Sequence, residues 1–82
     1  MPYVPQRGDF VIRNNADVRF ELLDSDNRLV AGPFTTLAGA VARARFQASD
    51  HISIWQQRVD DRGRPLGPPA ILLPRRALNA RT

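Results

Sequence analysis

The stretch 35–49, TTLAGAVARARFQAS, is the only part of the chain with helical periodicity, and it restricts the fold more than any other feature. Successive residues lie about 100° apart on a helical wheel, which places a set of small and apolar side chains on one arc: Leu37, Ala40, Val41, Ala44 and Ala48. These side chains allow the helix backbone to lie close to a sheet. Thr35 or Thr36 is a suitable N-cap, since a hydroxyl there accepts a hydrogen bond from an amide of the first turn.

Phe46 lies on the other side of this helix, in a second stripe with Ala38 and Ala42. Three interpretations remain open. A tail of the chain covers Phe46, the phase of the wheel is slightly shifted, or this side contacts a partner that is a second copy or another protein. Arg43 and Arg45 flank the buried stripe, where solvated charges are expected.

Short strands and turns account for the rest of the chain. Alternating apolar residues predict strands at 10–13, 18–23, 28–31, 51–59 and 70–73. Asparagine and aspartate predict turns at 14–17 and 24–27, and Gly63 favours a third turn. Prolines on both sides of 70–73 restrict that strand to an edge of the sheet.

The order of elements, β-β-β-α-β-β, predicts an α+β two-layer sandwich. Short turns require a mainly antiparallel sheet, and one helix packs on one face of it. We expect an extended lead-in at 1–9, one domain at 10–74 and a basic frayed tail at 75–82. The predicted sheet core contains Phe10, Ile12, Val18, Phe20, Leu22, Leu29, Ile52 and Ile54.

Residues 16–48 contain the pattern Phe20-Glu21-Leu22, an Asn27 turn, a second strand and an alanine-containing helix. In this order they resemble the repeat unit of small bacterial proteins related to YegP. Arg28 stands where those proteins have the glycine of an Asn-Gly turn. The resemblance implies a strand-strand-helix fold, and it carries no activity over to particular residues.

The sheet face that the single helix leaves uncovered is the main candidate for function. By alternation it carries Val11, Arg13, Arg19, Glu21, Leu23, Val30, Ser53 and Trp55. An exposed tryptophan beside Leu23 and arginines is typical of a protein-interaction hot spot. Two alternatives are open: Trp55 stacks on unpaired bases, or the register shifts at Gln56 and Trp55 belongs to the core.

The composition excludes several kinds of chemistry. The chain has no cysteine, which excludes disulfides, thiolate metal sites and cysteine nucleophiles. All twelve basic residues are arginine, as expected from GC-rich bacterial coding, and they are interleaved with eight acids. The net charge of +4 is therefore weaker evidence for a polyanionic partner than the basic pI indicates.

No arrangement of polar residues predicts catalysis or a cofactor. Asp50, His51 and Ser53 do not form a triad, because neighbours on a strand point to opposite faces. The run from Asp24 begins like a calcium loop, but Arg28 occupies the position of the third ligand. We expect neither an enzyme nor a metal or cofactor site.

The sequence thus predicts a small bacterial protein of 82 residues that forms one domain. We expect it to be cytoplasmic, because it has neither a signal-like N-terminus nor an apolar run of about 18 residues. The predicted function is non-enzymatic interaction with a protein or with a second copy. The predicted surface contains Trp55, Leu23, Arg19, Arg13 and Phe46. The alternative is nucleic-acid binding through Arg13, Arg19 and Arg58 with Trp55.

Overall fold

The computed structural model describes residues 5–15, 19–47 and 52–75. Its elements, in chain order, are β1 (Phe10–Asn15), β2 (Arg19–Leu23), β3 (Leu29–Phe34), α1 (Leu37–Gln47), β4 (Ile54–Val59) and β5 (Ala70–Leu73). The strands form one five-stranded sheet, mostly antiparallel, and α1 packs against it. The predicted α+β class is confirmed.

The order of strands in the sheet is β3-β2-β1-β4-β5. The central pair, β1 and β4, is parallel, whereas the other three pairs are antiparallel. A parallel pair needs a long crossover connection, and α1 lies within the segment that returns the chain from β3 to β4. The parallel pairing of β1 with β4 joins strands that are distant in the chain, so the short turns do not predict it.

The helix begins and packs as its sequence predicts. Thr36 is the N-cap, because its Oγ1 accepts a hydrogen bond from the Gly39 amide at 3.0 Å. Ala40 and Ala44 are fully buried. They pack on the sheet residues of the helix-side core, which are Ile12, Phe20, Leu22 and Ile54.

Three expectations about the core were wrong: Ile52 precedes β4 and is not among the residues of the helix-side core, and the other two concern β3. Leu29 is 57% exposed instead of buried, and Val30 packs against the helix-side core instead of lying on the uncovered face. The reason is an irregularity in the β2–β3 pairing, where Leu22 pairs with Ala31 but Leu23 pairs with Leu29. An extra residue in one strand reverses the faces that simple alternation predicts.

The opposite edge of the sheet has a similar irregularity. Ile54 pairs with Leu73 and Trp55 pairs with Ile71, so Leu72 is extra. Leu72 and Leu73 both pack against the helix-side core, although they are consecutive. Each edge strand therefore supplies two adjacent side chains to the helix side.

The predicted ends of three strands also change; β4 begins at Ile54, so Ile52 and Ser53 of the predicted strand 51–59 precede it. Asn14 and Asn15 belong to β1 and not to a turn, because β4 continues alongside them and Gln56 Nε2 donates to Asn14 Oδ1 at 2.9 Å. β3 continues to Phe34, which pairs with Phe20. Val18, predicted for the sheet core, and Ala48, predicted for the helix stripe, lie outside the described residues.

Candidate interaction surfaces

The face opposite the helix carries one apolar residue from every strand. Following the strand pairs across the sheet gives a continuous line, here called the apolar row: Leu29, Leu23, Val11, Trp55 and Ile71. Neighbouring strands are about 4.8 Å apart, so the row is roughly 19 Å long. The alternate residues Ile12, Leu22 and Ile54 point to the helix, which places the row on the side of the sheet away from the helix.

Exposure varies along this row. Its ends are exposed, with Leu29 at 57% and Ile71 at 44%, whereas Leu23 and Trp55 are 2% and 3% exposed. The predicted face of Trp55 and Leu23 is therefore right, but their predicted exposure is wrong. The β1–β4 pairing is continuous from Phe10–Ile54 to Asn15–Val59, so no register shift moves Trp55 to the helix side.

A buried carboxylate holds Trp55 in place. Asp9 is 0% exposed, and its Oδ2 accepts a hydrogen bond from Trp55 Nε1 at 3.0 Å. Its Oδ1 accepts from the Ser53 amide at 2.9 Å. Arg75 Nη2 lies 3.0 and 2.9 Å from the two oxygens. Burying a carboxylate is costly unless charge and hydrogen bonds compensate it, and this set, here called the Asp9 cluster, supplies both.

The Asp9 cluster joins the two flanks of the predicted domain. On one side, Gln6 donates its amide to Asp9 Oδ2 at 2.9 Å, and Gly8 donates its amide to Ser25 Oγ at 3.0 Å. On the other side, the Arg75 amide donates to Ser53 Oγ at 2.8 Å. The described part of the lead-in is thus bonded to the sheet and to the β2–β3 turn. Residues 76–82 of the predicted tail lie outside the described residues.

Sequence reasoning missed the Asp9 cluster because its members are far apart in the chain. Asp9 directly precedes one strand and Arg75 follows another, but no spacing rule connects them. A weak signal was present, since an acid and an arginine flank otherwise apolar strands. Only the arrangement of β1, β4 and β5 side by side brings them together.

Charged residues occupy the two rows that follow the apolar row on this face, with Arg13 and Glu21 in the first and Arg19 in the second. Arg13 donates to Glu21 Oε1 from Nη2 at 2.9 Å and from Nε at 3.2 Å. Arg19 Nη2 lies 3.9 Å from Glu21 Oε2. Glu21 therefore holds both arginines of the predicted surface on the uncovered face. Arg58 pairs with Asn14, on the opposite face, so the structure does not bring it together with them.

The second candidate surface is the outer side of α1, here called the helix outer face. Phe46 is 86% exposed, and Ala38, Ala42, Arg43 and Arg45 around it are also exposed. Arg43 Nε donates to Gln47 Oε1 at 2.9 Å, which orients that guanidinium. The sequence predicted Phe46 as a candidate contact, and the structure places it on the surface.

The Asp24 carboxylate forms local bonds. Asp24 Oδ1 accepts hydrogen bonds from the backbone amides of Asp26 and Arg28 at 2.9 Å each. In the loop that begins like a calcium site, this oxygen therefore binds the backbone of the loop itself. Asp50 and His51 of the rejected triad lie outside the described residues. Among the residues that are described, no group of three or more His, Cys, Asp or Glu is placed to hold a metal ion.

Comparison with known proteins gives no family for this chain: no family model, no curated protein and no solved structure matches it. The resemblance of residues 16–48 to YegP-related proteins therefore stays a prediction. In the part of the chain that the structure describes, no helix is both long and apolar enough to cross a membrane.

Proposed function

We propose that this chain is a small non-enzymatic protein-binding module that self-associates through the face of its sheet that lies away from the helix. The observation that carries the proposal is the apolar row, which crosses all five strands and is exposed at both ends, Leu29 and Ile71. Large exposed apolar side chains on a face without a helix are typical of a contact surface. A small domain also gains the most from the extra burial that association provides.

A second copy is the occupant that the charges favour. The two rows beside the apolar row contain both signs: Arg13 pairs with Glu21 in the nearer row, and Arg19 lies in the next row along β2. A two-fold interface brings the same patch together with itself, so a patch with both signs is complementary to its own copy. Exchange of these ion pairs between two copies fixes their relative orientation.

Nucleic-acid binding is the second candidate, and the arrangement of its residues supports it less. Base stacking needs an accessible ring, whereas Trp55 is 3% exposed and donates to Asp9. The partner arginines are also divided, since Arg58 lies on the other face from Arg13. We keep this function as a second arm of the experiment.

Sedimentation velocity over a concentration series tests self-association. We expect a dimer for the full chain, little changed by salt, and a monomer for Leu29→Glu and for Ile71→Glu. The matched control is Leu66→Glu, because Leu66 is 62% exposed but lies outside the apolar row; this variant should remain a dimer. A wild-type monomer at every concentration contradicts the proposal.

The second arm measures binding to single-stranded and duplex oligonucleotides at low salt. Binding that weakens steeply with added salt indicates release of counterions from a polyanion. We expect no such binding. A salt-dependent shift that Leu29→Glu leaves unchanged would favour the nucleic-acid function over self-association.

A further inference from the structure

The helix outer face combines an apolar strip with two arginines. Ala38, Ala42 and Phe46 follow one another at intervals of four residues and form a continuous strip along α1. Arg43 and Arg45 lie on opposite sides of this strip: on the helical wheel Arg43 is about 60° beyond Phe46, and Arg45 is about 20° beyond Ala38. A partner that lies along the strip therefore meets a guanidinium on each side.

The charge of this face argues against a second copy of the chain as its occupant. α1 contains two arginines and no acidic residue. A two-fold pairing of the face with itself would place Arg43 and Arg45 against the same residues of the copy, and like charges in an interface are costly. This face differs from the uncovered face of the sheet, where Glu21 compensates two arginines.

We infer that the helix outer face binds an acidic amphipathic segment of another protein. Apolar side chains of the segment lie over Ala38 and Ala42, where the small methyl groups permit close approach, and pack against the ring of Phe46. Its carboxylates accept hydrogen bonds from Arg43 and Arg45, because guanidinium groups bind carboxylates in bidentate geometry. Arg43 Nε donates to Gln47 Oε1 at 2.9 Å, so a carboxylate of the segment binds this guanidinium through its Nη atoms.

This inference goes beyond self-association and does not depend on it. The apolar row and the helix outer face lie on opposite sides of the two layers, since the row faces away from α1. One chain can therefore contact its copy through the sheet and an acidic segment through the helix. A dimer would present two such helices.

The experiment uses the full chain and a fluorescein-labelled synthetic helical peptide with leucines on one side and glutamates flanking them. Fluorescence anisotropy measures its binding. Two control peptides replace every glutamate by lysine, or every leucine by serine. We expect the protein to bind the Glu-Leu peptide and neither control, with at least about tenfold weaker binding by Phe46→Ala, as for an aromatic anchor of an interface.

Reversal of charge gives the sharpest comparison. The double variant Arg43→Glu with Arg45→Glu should lose the Glu-Leu peptide and bind the Lys-Leu peptide instead. Both residues are exposed, so we expect these variants to stay folded. Circular dichroism checks this expectation, and the double variant Arg7→Glu with Arg62→Glu, at two exposed residues outside α1, serves as the matched control.

Three results would overturn the inference. The first is that the wild-type chain fails to bind the Glu-Leu peptide. The second is that the peptide with serine in place of leucine binds equally well, and the third is that Phe46→Ala binds the Glu-Leu peptide as tightly as wild type. The two proposals are also separable. Leu29→Glu should abolish the dimer and retain the peptide, whereas Phe46→Ala should do the reverse; loss of the dimer in Phe46→Ala would make this face the self-association surface.

Discussion

Arg75 and Asp9, 66 positions apart, form a bifurcated ion pair in which Arg75 Nη2 lies 3.0 and 2.9 Å from the two carboxylate oxygens. Asp9 directly precedes β1 and Arg75 follows β5, and these strands are separated in the sheet by β4. The pair therefore spans the beginning of β4, where Ser53 and Trp55 donate to the same carboxylate. It closes the end of the sheet at which β1 begins.

Removal of the Asp9 charge should destabilise the protein strongly. Asp9→Asn keeps the size of the side chain but leaves Arg75 without its anion and turns an amide group toward N–H donors. We expect the free energy of unfolding to fall by about 3 kcal/mol, as for other buried pairs that lose one partner. Urea unfolding followed by circular dichroism measures this change.

The exposed residue Arg62 supplies the control for that experiment, and Arg62→Ala should stay within about 0.5 kcal/mol of wild type. Arg75→Ala should be intermediate, with a loss of about 1–2 kcal/mol, because Asp9 retains its N–H donors. Wild-type stability in Asp9→Asn would show that the Asp9 cluster does not hold the fold together.

Trp55 should report a buried environment in the monomer. It is the only tryptophan and is 3% exposed, so the emission belongs to one ring. We expect blue-shifted emission and protection from iodide and acrylamide at a dilution where the chain is monomeric, with free N-acetyltryptophanamide as the reference. Quenching as fast as that of the reference would place the ring in solvent.

Gly32 should tolerate alanine less well than Gly63. Gly32 has a φ of +115°, and an added Cβ would lie 3.1 Å from the Phe20 carbonyl oxygen and 3.3 Å from Glu21 Cα. Strained backbone of this kind costs about 1–3 kcal/mol, and the neighbours are backbone atoms of the paired strand β2. Gly63 has a φ of +81° and nothing within 4 Å of the added Cβ.

We therefore expect Gly32→Ala to lose about 2 kcal/mol and Gly63→Ala about 1 kcal/mol, the latter from its left-handed backbone alone. Thermal and urea unfolding of the two variants in parallel give the comparison. Equal losses would mean that β3 moves away from β2 at little cost.

The Asp60 turn should lose stability only in acid. The amide of Arg64, with smaller contributions from the Arg62 amide and the Arg64 side chain, lowers the pKa of Asp60 below its usual 3.8. A pKa that is lowered by folding stabilises the folded state above the unfolded pKa, and this stabilisation is lost as the pH falls through the folded pKa. The relevant window is therefore below about pH 4.

Asp60→Asn tests this dependence. The difference in unfolding free energy between wild type and Asp60→Asn should be constant from neutral pH down to the unfolded pKa and should shrink below it. Carbon-detected NMR titration of the Asp60 carboxyl should give a midpoint below 3.8. A midpoint at or above that value would contradict the hydrogen bonds of this turn.

Properties that depend on neighbouring residues were available from the sequence. The spacing of Ala40 and Ala44 predicted the buried side of α1, and the threonine pair predicted an N-cap at Thr35 or Thr36, of which the structure shows Thr36. Alternation also placed Trp55 and Leu23 on the correct face of the sheet. Each of these follows from the geometry of a single helix or strand, in which the direction of a side chain is set by its place in the repeat.

The tertiary structure alone decided which segments pack against these faces. The parallel pairing of β1 with β4, the extra residues in the edge strands and the burial of Trp55 all depend on residues that are distant in the chain. Asp9 and Arg75 show the reason most directly. The local sequence determines to which face of the sheet a side chain points. Whether that side chain is buried depends on segments distant in the chain that the folded sheet places next to it.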